Sequence, residues 1–370
     1  MSKSWAGPRW ATLNIVRHFR LRGSIVFALA MLPVAPWASR SLDAQQTDQA
    51  KAAAIQERLK RVGADVMSRP DRANDAIREL KAILAEDPRS AEAHMYLGIA
   101  YRVLGSPEMI GEAVAELRQA LELEPRHVPA RFYLAHLYLN LGRATRAREE
   151  LEAALAQAPG QPQFLALLGE TERQVGNPRR SVDLNRQALQ ANDSLAEARY
   201  YLALALLDLK QTDEGIRELE RVVQSGPAVV DAYVSLGTAY IEAGRFDAAL
   251  ETLARGTQID AARPELRILM ARAYRSKGLL DQAQAQLKLA SSKRGASLAS
   301  PFQQDQQVEF DLRLEQARLA AKQGRLDAAA ESFQRVLDMD PEYAPAKREL
   351  AEVRKQMQER VQKKKPGGQR

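Results

Sequence analysis

Residues 128–161 read VPARFYLAHLYLNLGRATRAREELEAALAQAPGQ, and the placing of their large, small and turn-forming side chains predicts two helices folded back on each other. Leu134 and Tyr138 lie four apart and so share one helical face. Ala135, beside that leucine, leaves room for a second helix to approach. Gly142 supplies the positive φ with which a first helix stops. Ala147, Leu151, Ala154 and Leu155 then repeat at helical spacing, with Ala147 where the paired helices cross. Pro159 closes the second helix, because its ring cannot continue the hydrogen-bond ladder.

The same pattern recurs along the chain. An aliphatic residue followed by a small one stands at Leu97-Gly98, Leu134-Ala135, Leu168-Gly169, Leu202-Ala203, Leu236-Gly237 and Met270-Ala271. Tyr101, Tyr138, Glu172, Leu206, Tyr240 and Tyr274 follow, then turn residues at Gly105, Gly142, Gly176, Lys210, Gly244 and Gly278. A second small residue recurs at Ala113, Ala147, Ser181, Gly215, Ala249 and Ala283. The units close at Pro88, Pro125, Pro159, Asp193, Pro227 and Ala261. One phase held this long is the signature of stacked repeats, whose core grows lengthwise from neighbour to neighbour.

On these residues the chain resembles the tetratricopeptide repeat family of helix–turn–helix units. The likeness is clear over 91–290, weaker over 310–343 (Gly324, Ala329, Phe333, Val336, Pro341) and over 72–88 (Ala76, Leu80, Ile83, Pro88). It implies an all-α, right-handed superhelical solenoid of about eight antiparallel helix pairs with a C-terminal capping helix. The expected layout is a leader at 1–44 and a degenerate opening pair at 45–90, its first helix from 47 to 68. Six repeats follow at 91–127, 128–161, 162–195, 196–229, 230–263 and 264–290. Then come a Ser/Gly/Pro-bearing loop or hinge at 291–305, a further pair at 306–343, a cap at 344–361 and a basic disordered tail at 362–370. Three extra residues between Ser106 and Glu112 predict a longer turn in the first good repeat. The family's bulky first-helix position is held by His94, Arg131, Leu165, Arg199, Tyr233 and Arg267, where arginine stems can cover the site while the head reaches water.

Bulk composition narrows the function. The net charge is +7, but Lys3, Arg9, Arg17, Arg20, Arg22 and Arg40 lie before residue 45, and Arg360, Lys363, Lys364, Lys365 and Arg370 end the chain. The body between them carries a slight acidic excess, without the basic footprint that phosphate-backbone binding needs. Nucleic acid is therefore not an expected partner. With no cysteine, disulfides, thiolate catalysis and Cys-type zinc sites are excluded. His94, His127 and His136 show no metalloprotease-type spacing, and no G-x-S-x-G, Walker or G-x-G-x-x-G motif occurs. No cofactor, metal, small-molecule substrate or catalytic site is expected.

The N-terminus reads as an address. Arg17, Arg20 and Arg22 precede GSIVFALAMLPVAPW at 23–37, and Leu42-Asp43-Ala44 offers a peptidase exit. A basic region, a short apolar run and a small-residue exit describe a secretory leader. The run is shorter than the roughly 20 residues of a bilayer span and contains Pro33 and Pro36. A bacterial periplasmic or secreted location is expected; the alternative is an inner-membrane anchor through 23–37, the only membrane contact foreseen.

If the family's geometry transfers, first helices line a concave groove. Its inward residues would include Met95, Ile99 and Arg102, then Phe132, His136 and Leu139, then Arg173 beside Ala166 and Glu170. Tyr200, Leu204 and Leu207 follow, then Ile241 beside Val234 and Thr238, and last Arg272 and Arg275 beside Ile268. The Lys and Asn clamp with which well-known members hold a C-terminal carboxylate is not presented. The implied function is a non-catalytic scaffold of the cell envelope binding a peptide or protein segment, with aromatics giving area and arginines orientation. The alternatives are a self-associating solenoid or an anchored accessory subunit of a secretion or polysaccharide-export assembly.

Overall fold

The computed structural model describes residues 36–226, 230–292 and 303–364, and among them seventeen α-helices and no strand. The chain divides into two units. Met1–Ala54 contributes the leading part of α1; Ile55–Arg370 holds the rest of α1 and the helices after it. The opening pair is α1 (Pro36–Ser68) and α2 (Ala73–Glu86). Six pairs follow: α3 (Ala91–Leu104) with α4 (Pro107–Leu123), α5 (Val128–Asn140) with α6 (Ala144–Gln157), α7 (Pro162–Gln174) with α8 (Pro178–Ala191), α9 (Ala196–Asp208) with α10 (Thr212–Ser225), α11 (Val230–Glu242) with α12 (Phe246–Ile259), and α13 (Pro264–Ser276) with α14 (Leu280–Ser292). A last pair, α15 (Gln303–Lys322) and α16 (Leu326–Met339), is closed by α17 (Ala344–Lys364). The expected all-α helical solenoid is what forms. Of the expected leader at 1–44 and tail at 362–370, residues 1–35 and 365–370 lie outside the described residues, as does most of the 291–305 loop, whereas 36–44 and 362–364 are helical. The first helix begins at Pro36, upstream of the expected 47.

Each hairpin forms for the local reasons its sequence gives. Ser90 caps α3 by accepting from the Ala93 N–H at 3.2 Å, and Pro stands at the start of α4, α5, α7, α8 and α13, where a missing N–H costs nothing. Most turn glycines take positive φ, but Lys210 holds the same conformation at φ 63° despite its side chain. The small residues before the turns are required by contact. A Cβ on Gly237 would stand 2.5 Å from Leu253, which is wholly buried where α12 crosses α11. Leu117, Leu151 and Leu253 are each 0% exposed, and truncating one to alanine costs about 3 kcal/mol.

Two expectations change. The three extra residues after Ser106 do not lengthen a turn: they add nearly a turn to α4, which has 17 residues where α6 and α8 have 14. Ser106 accepts from the Met109 N–H and Pro107 follows it, so capping begins the helix at once. The heads of Arg131 and Arg199 do not reach for water alone, and His94 in the same place is held in the same way. Arg131 donates to Glu150 at 2.5 Å and to the Pro125 carbonyl, and Arg199 to Glu218 at 2.9 Å and the Asp193 carbonyl. His94 meets Glu116 at 2.6 Å, with the Pro88 carbonyl 3.3 Å from its other nitrogen. One polar clip therefore ties first helix, second helix and preceding loop where a bulky side chain was expected.

The apolar core is not continuous. One cluster runs from Leu59 to Leu168 and another from Ala203 to Met270. Between them α7 and α8 bury Glu170, Thr171, Glu172, Ser181 and Asn185. Glu172 takes the place of a tyrosine; Asn177 donates to its Oε2 at 2.8 Å, and Arg180 stands 2.9 Å from its Oε1 as an ion pair. Buried charge so partnered is tolerated but stabilises less than an apolar core would.

Candidate functional site

From α3 to α13 each first helix packs on its own second helix and on the first helix of the next unit. The first helices thus form one row, and the side chains between their crossings are the candidate surface. Of the expected groove residues, Met95, Ile99 and Leu139 are 5%, 1% and 7% exposed and belong to the core. Phe132, His136, Tyr200, Leu204, Leu207 and Ile241 are half-buried. Phe132 stacks on Phe164 of α7 with ring centres 4.9 Å apart, and Tyr133 meets its edge at 5.5 Å. Tyr200 lies 5.8 Å from Tyr201, and its hydroxyl pairs with Ser235 of α11 at 3.2 Å.

Most of the expected arginines are engaged within the stack. Arg173 donates twice to Glu170, at 2.8 and 2.9 Å, and once to Asp208 of α9 at 2.9 Å. The Glu170 bonds hold its pKa above the ordinary value. Arg272 and Arg275 both reach Glu315 of α15, at 2.9 and 3.1 Å. Glu315 is 1% exposed and accepts also from Arg318, which forks onto Glu349 of α17 at 2.7 and 3.0 Å. These side chains join successive first helices, so their charge is neutralised inside the protein.

Arg102 differs. It is half-buried, its Nε is enclosed without a hydrogen-bond acceptor, and among the described residues no carboxylate meets it. Burial pulls its pKa below the ordinary value, partly offset by Tyr133. Beside it, burial and then the Arg102 charge push His136 down to about 4, so that imidazole is neutral at pH 7. Asn140 Nδ2 stands 3.4 Å from His136 Nδ1. Next to this corner Met67, Met95, Tyr96 and Tyr133, with Glu92, Glu124 and Arg126 at its polar side, line an open cleft of about 440 Å³, where the Tyr133 hydroxyl meets Met67 Sδ at 3.5 Å. Tyr96, Tyr133, Phe164 and Met67 were not among the expected residues. The two tyrosines sit one place after Met95 and Phe132 in the repeat, and that register, read as a row of its own, would have found them.

Among the described residues no group of three or more His, Asp or Glu side chains is placed to hold a metal ion, and no helix is long and apolar enough to cross a membrane. His127 serves as the N-cap of α5, accepting from the Ala130 N–H.

The fold defines a protein built from stacked helical hairpins. Models described as "Tetratricopeptide repeat" match residues 106–170 and 240–299, and residues 71–108, 167–219, 205–265 and 314–354. The chain belongs to the tetratricopeptide repeat family, whose repeats are in general protein–protein interaction scaffolds without catalysis. No curated protein matches it in sequence. Among solved structures it is similar to the APC/C hetero-tetramer Cut9-Hcn1, at 16% identity and TM-score 0.57, over 69% of this chain and 48% of that one. It thus spans about half the length of that relative. It is similar to Pseudomonas aeruginosa pilF, at 18% identity and TM-score 0.50, over 63% of this chain and 100% of that one. A human IFIT1 dimer with m7Gppp-AAAA matches at 18% identity and TM-score 0.57, over 76% and 67%. At such identities the likeness is one of fold.

Proposed function

We propose that this chain is a non-catalytic scaffold of the bacterial cell envelope that receives a peptide or protein segment along its first-helix row. The observation that carries the reading is the band of half-buried aromatic side chains from Tyr96 through Phe132, Tyr133 and Phe164 to Tyr200. Rigid rings left half open give a partner large contact area at small ordering cost, which is why aromatic residues dominate binding energy at interfaces. The paired arginines around them hold the helices in register, so the surface is preformed.

Replacing Phe132 and Tyr200 together by alanine should abolish partner capture while leaving helicity and the cooperativity of urea unfolding intact. Undiminished capture would remove the groove from the account. The envelope location rests on the basic, apolar and small-residue order of 1–44. Fused to alkaline phosphatase in a bacterial host, that segment should yield active enzyme, which forms only outside the cytoplasm; an inactive fusion would place the scaffold inside the cell.

A further inference from the structure

Arg102, Arg173 and Arg275 occupy one register of the repeat, the last turn of α3, α7 and α13, yet only Arg102 lacks a counter-charge. The others draw carboxylates from three places: three residues back on the same helix (Glu170 for Arg173), the end of the next first helix (Asp208 for Arg173), and the middle of the next first helix (Glu315 for Arg275). Around Arg102 the same three places hold Ile99, Asn140 and Tyr133. All three are uncharged at pH 7, and so is the nearby His136. The guanidinium is half-buried against α5 with Nε enclosed and unbonded. Taking a cation partly out of water with no anion beside it is unfavourable, and a bound carboxylate would reverse that.

We propose that Arg102 is the acid-reading point of the docking face, taking the side-chain carboxylate of an Asp or Glu within a partner segment whose neighbouring apolar side chain seats in the cleft by Tyr96 and Tyr133. Charge complementarity selects the occupant, since an acid is what the three neutral places fail to supply. A side-chain carboxylate fits better than a chain end because contact surface lies on both sides of this corner, the cleft with Met67, Tyr96 and Tyr133 on one and the Phe132–Phe164 stack on the other. Asn140, whose amide lies beside His136, is the second donor available to such an acid. This rests on the groove reading above and adds its chemical selectivity.

The test pans a random dodecapeptide phage library on the full chain and on the Arg102→Gln and Asn140→Asp variants. Asn140→Asp places an internal acid where Asp208 serves Arg173, so it fills the site without emptying the cleft. On the wild type the enriched sequences should carry Asp or Glu next to an aromatic or aliphatic residue. Changing that acid to its amide should weaken the best peptide about tenfold, the loss of one charge-assisted hydrogen bond. On both variants the acid preference should vanish and the amide change should matter less than twofold. Thermal unfolding of both variants checks that the fold is kept. Enrichment without acid preference, or the same preference on Arg102→Gln, overturns the proposal while leaving the groove in place. Peptides that bind equally well after Phe132→Ala with Tyr200→Ala, or no enrichment at all, overturn both. An RNA oligonucleotide competing away the selected peptide also counts against it.

Discussion

The two ends of the first-helix row use the same residue type for opposite purposes. Toward the C-terminal end, Arg272, Arg275 and Arg318 converge on Glu315, a carboxylate almost without exposure, and join α13, α15 and α17. Toward the N-terminal end, Arg102 stands beside Tyr133 with no acid paired to it among the described residues. Position in the repeat therefore does not settle what an arginine does; the partner left for it does. Where the neighbouring repeat supplies a carboxylate, the cation becomes part of the stacking, and where it does not, the cation stays available.

Removing the paired side of this contrast should have the largest effect. Glu315→Ala strands Arg272 and Arg275 around an enclosed site, while Arg318 keeps Glu349, and urea denaturation should show a loss of about 3 kcal/mol. Arg173→Ala is milder: Glu170 keeps only the Gln174 amide, and about 1–2 kcal/mol should go.

Acid exposes the other side. Folded His136 holds its pKa near 4, against about 6.5 when unfolded. Between those values the unfolded chain binds a proton that the folded chain does not, so its contribution is complete above pH 6.5 and is lost as pH falls toward 4. Urea midpoints across that window should drop less steeply in His136→Gln than in the wild type. The smallest effect is expected of Arg102→Gln, within about 0.5 kcal/mol of wild type, since no group is left stranded. A large loss there would mean that Arg102 serves the stack after all.

How much of this was legible in the sequence follows from what sequence spacing encodes. The hairpins were legible because Leu134, Ala135, Tyr138, Gly142 and Ala147 each impose a local constraint that recurs with the repeat. The arginine pairing was not. Arg275 and Glu315 are separated by an irregular insertion, so their meeting depends on how one hairpin sits on the next. The three residues after Ser106 misled because a count of residues does not tell turn from helix; the cap and Pro107 do. Burial of Ile99 and Leu139 was likewise hidden, since only the crossing of neighbouring helices covers them.

The most direct measurement is position-specific photocrosslinking in cells that make the protein natively. p-Benzoylphenylalanine is placed at Tyr133, on the first-helix row, and separately at Arg118, exposed on the second helix α4. A discrete partner adduct from position 133, absent from 118, is the predicted result. Adducts from position 118 alone would contradict the account, for they would put the docking surface on the opposite side of the stack.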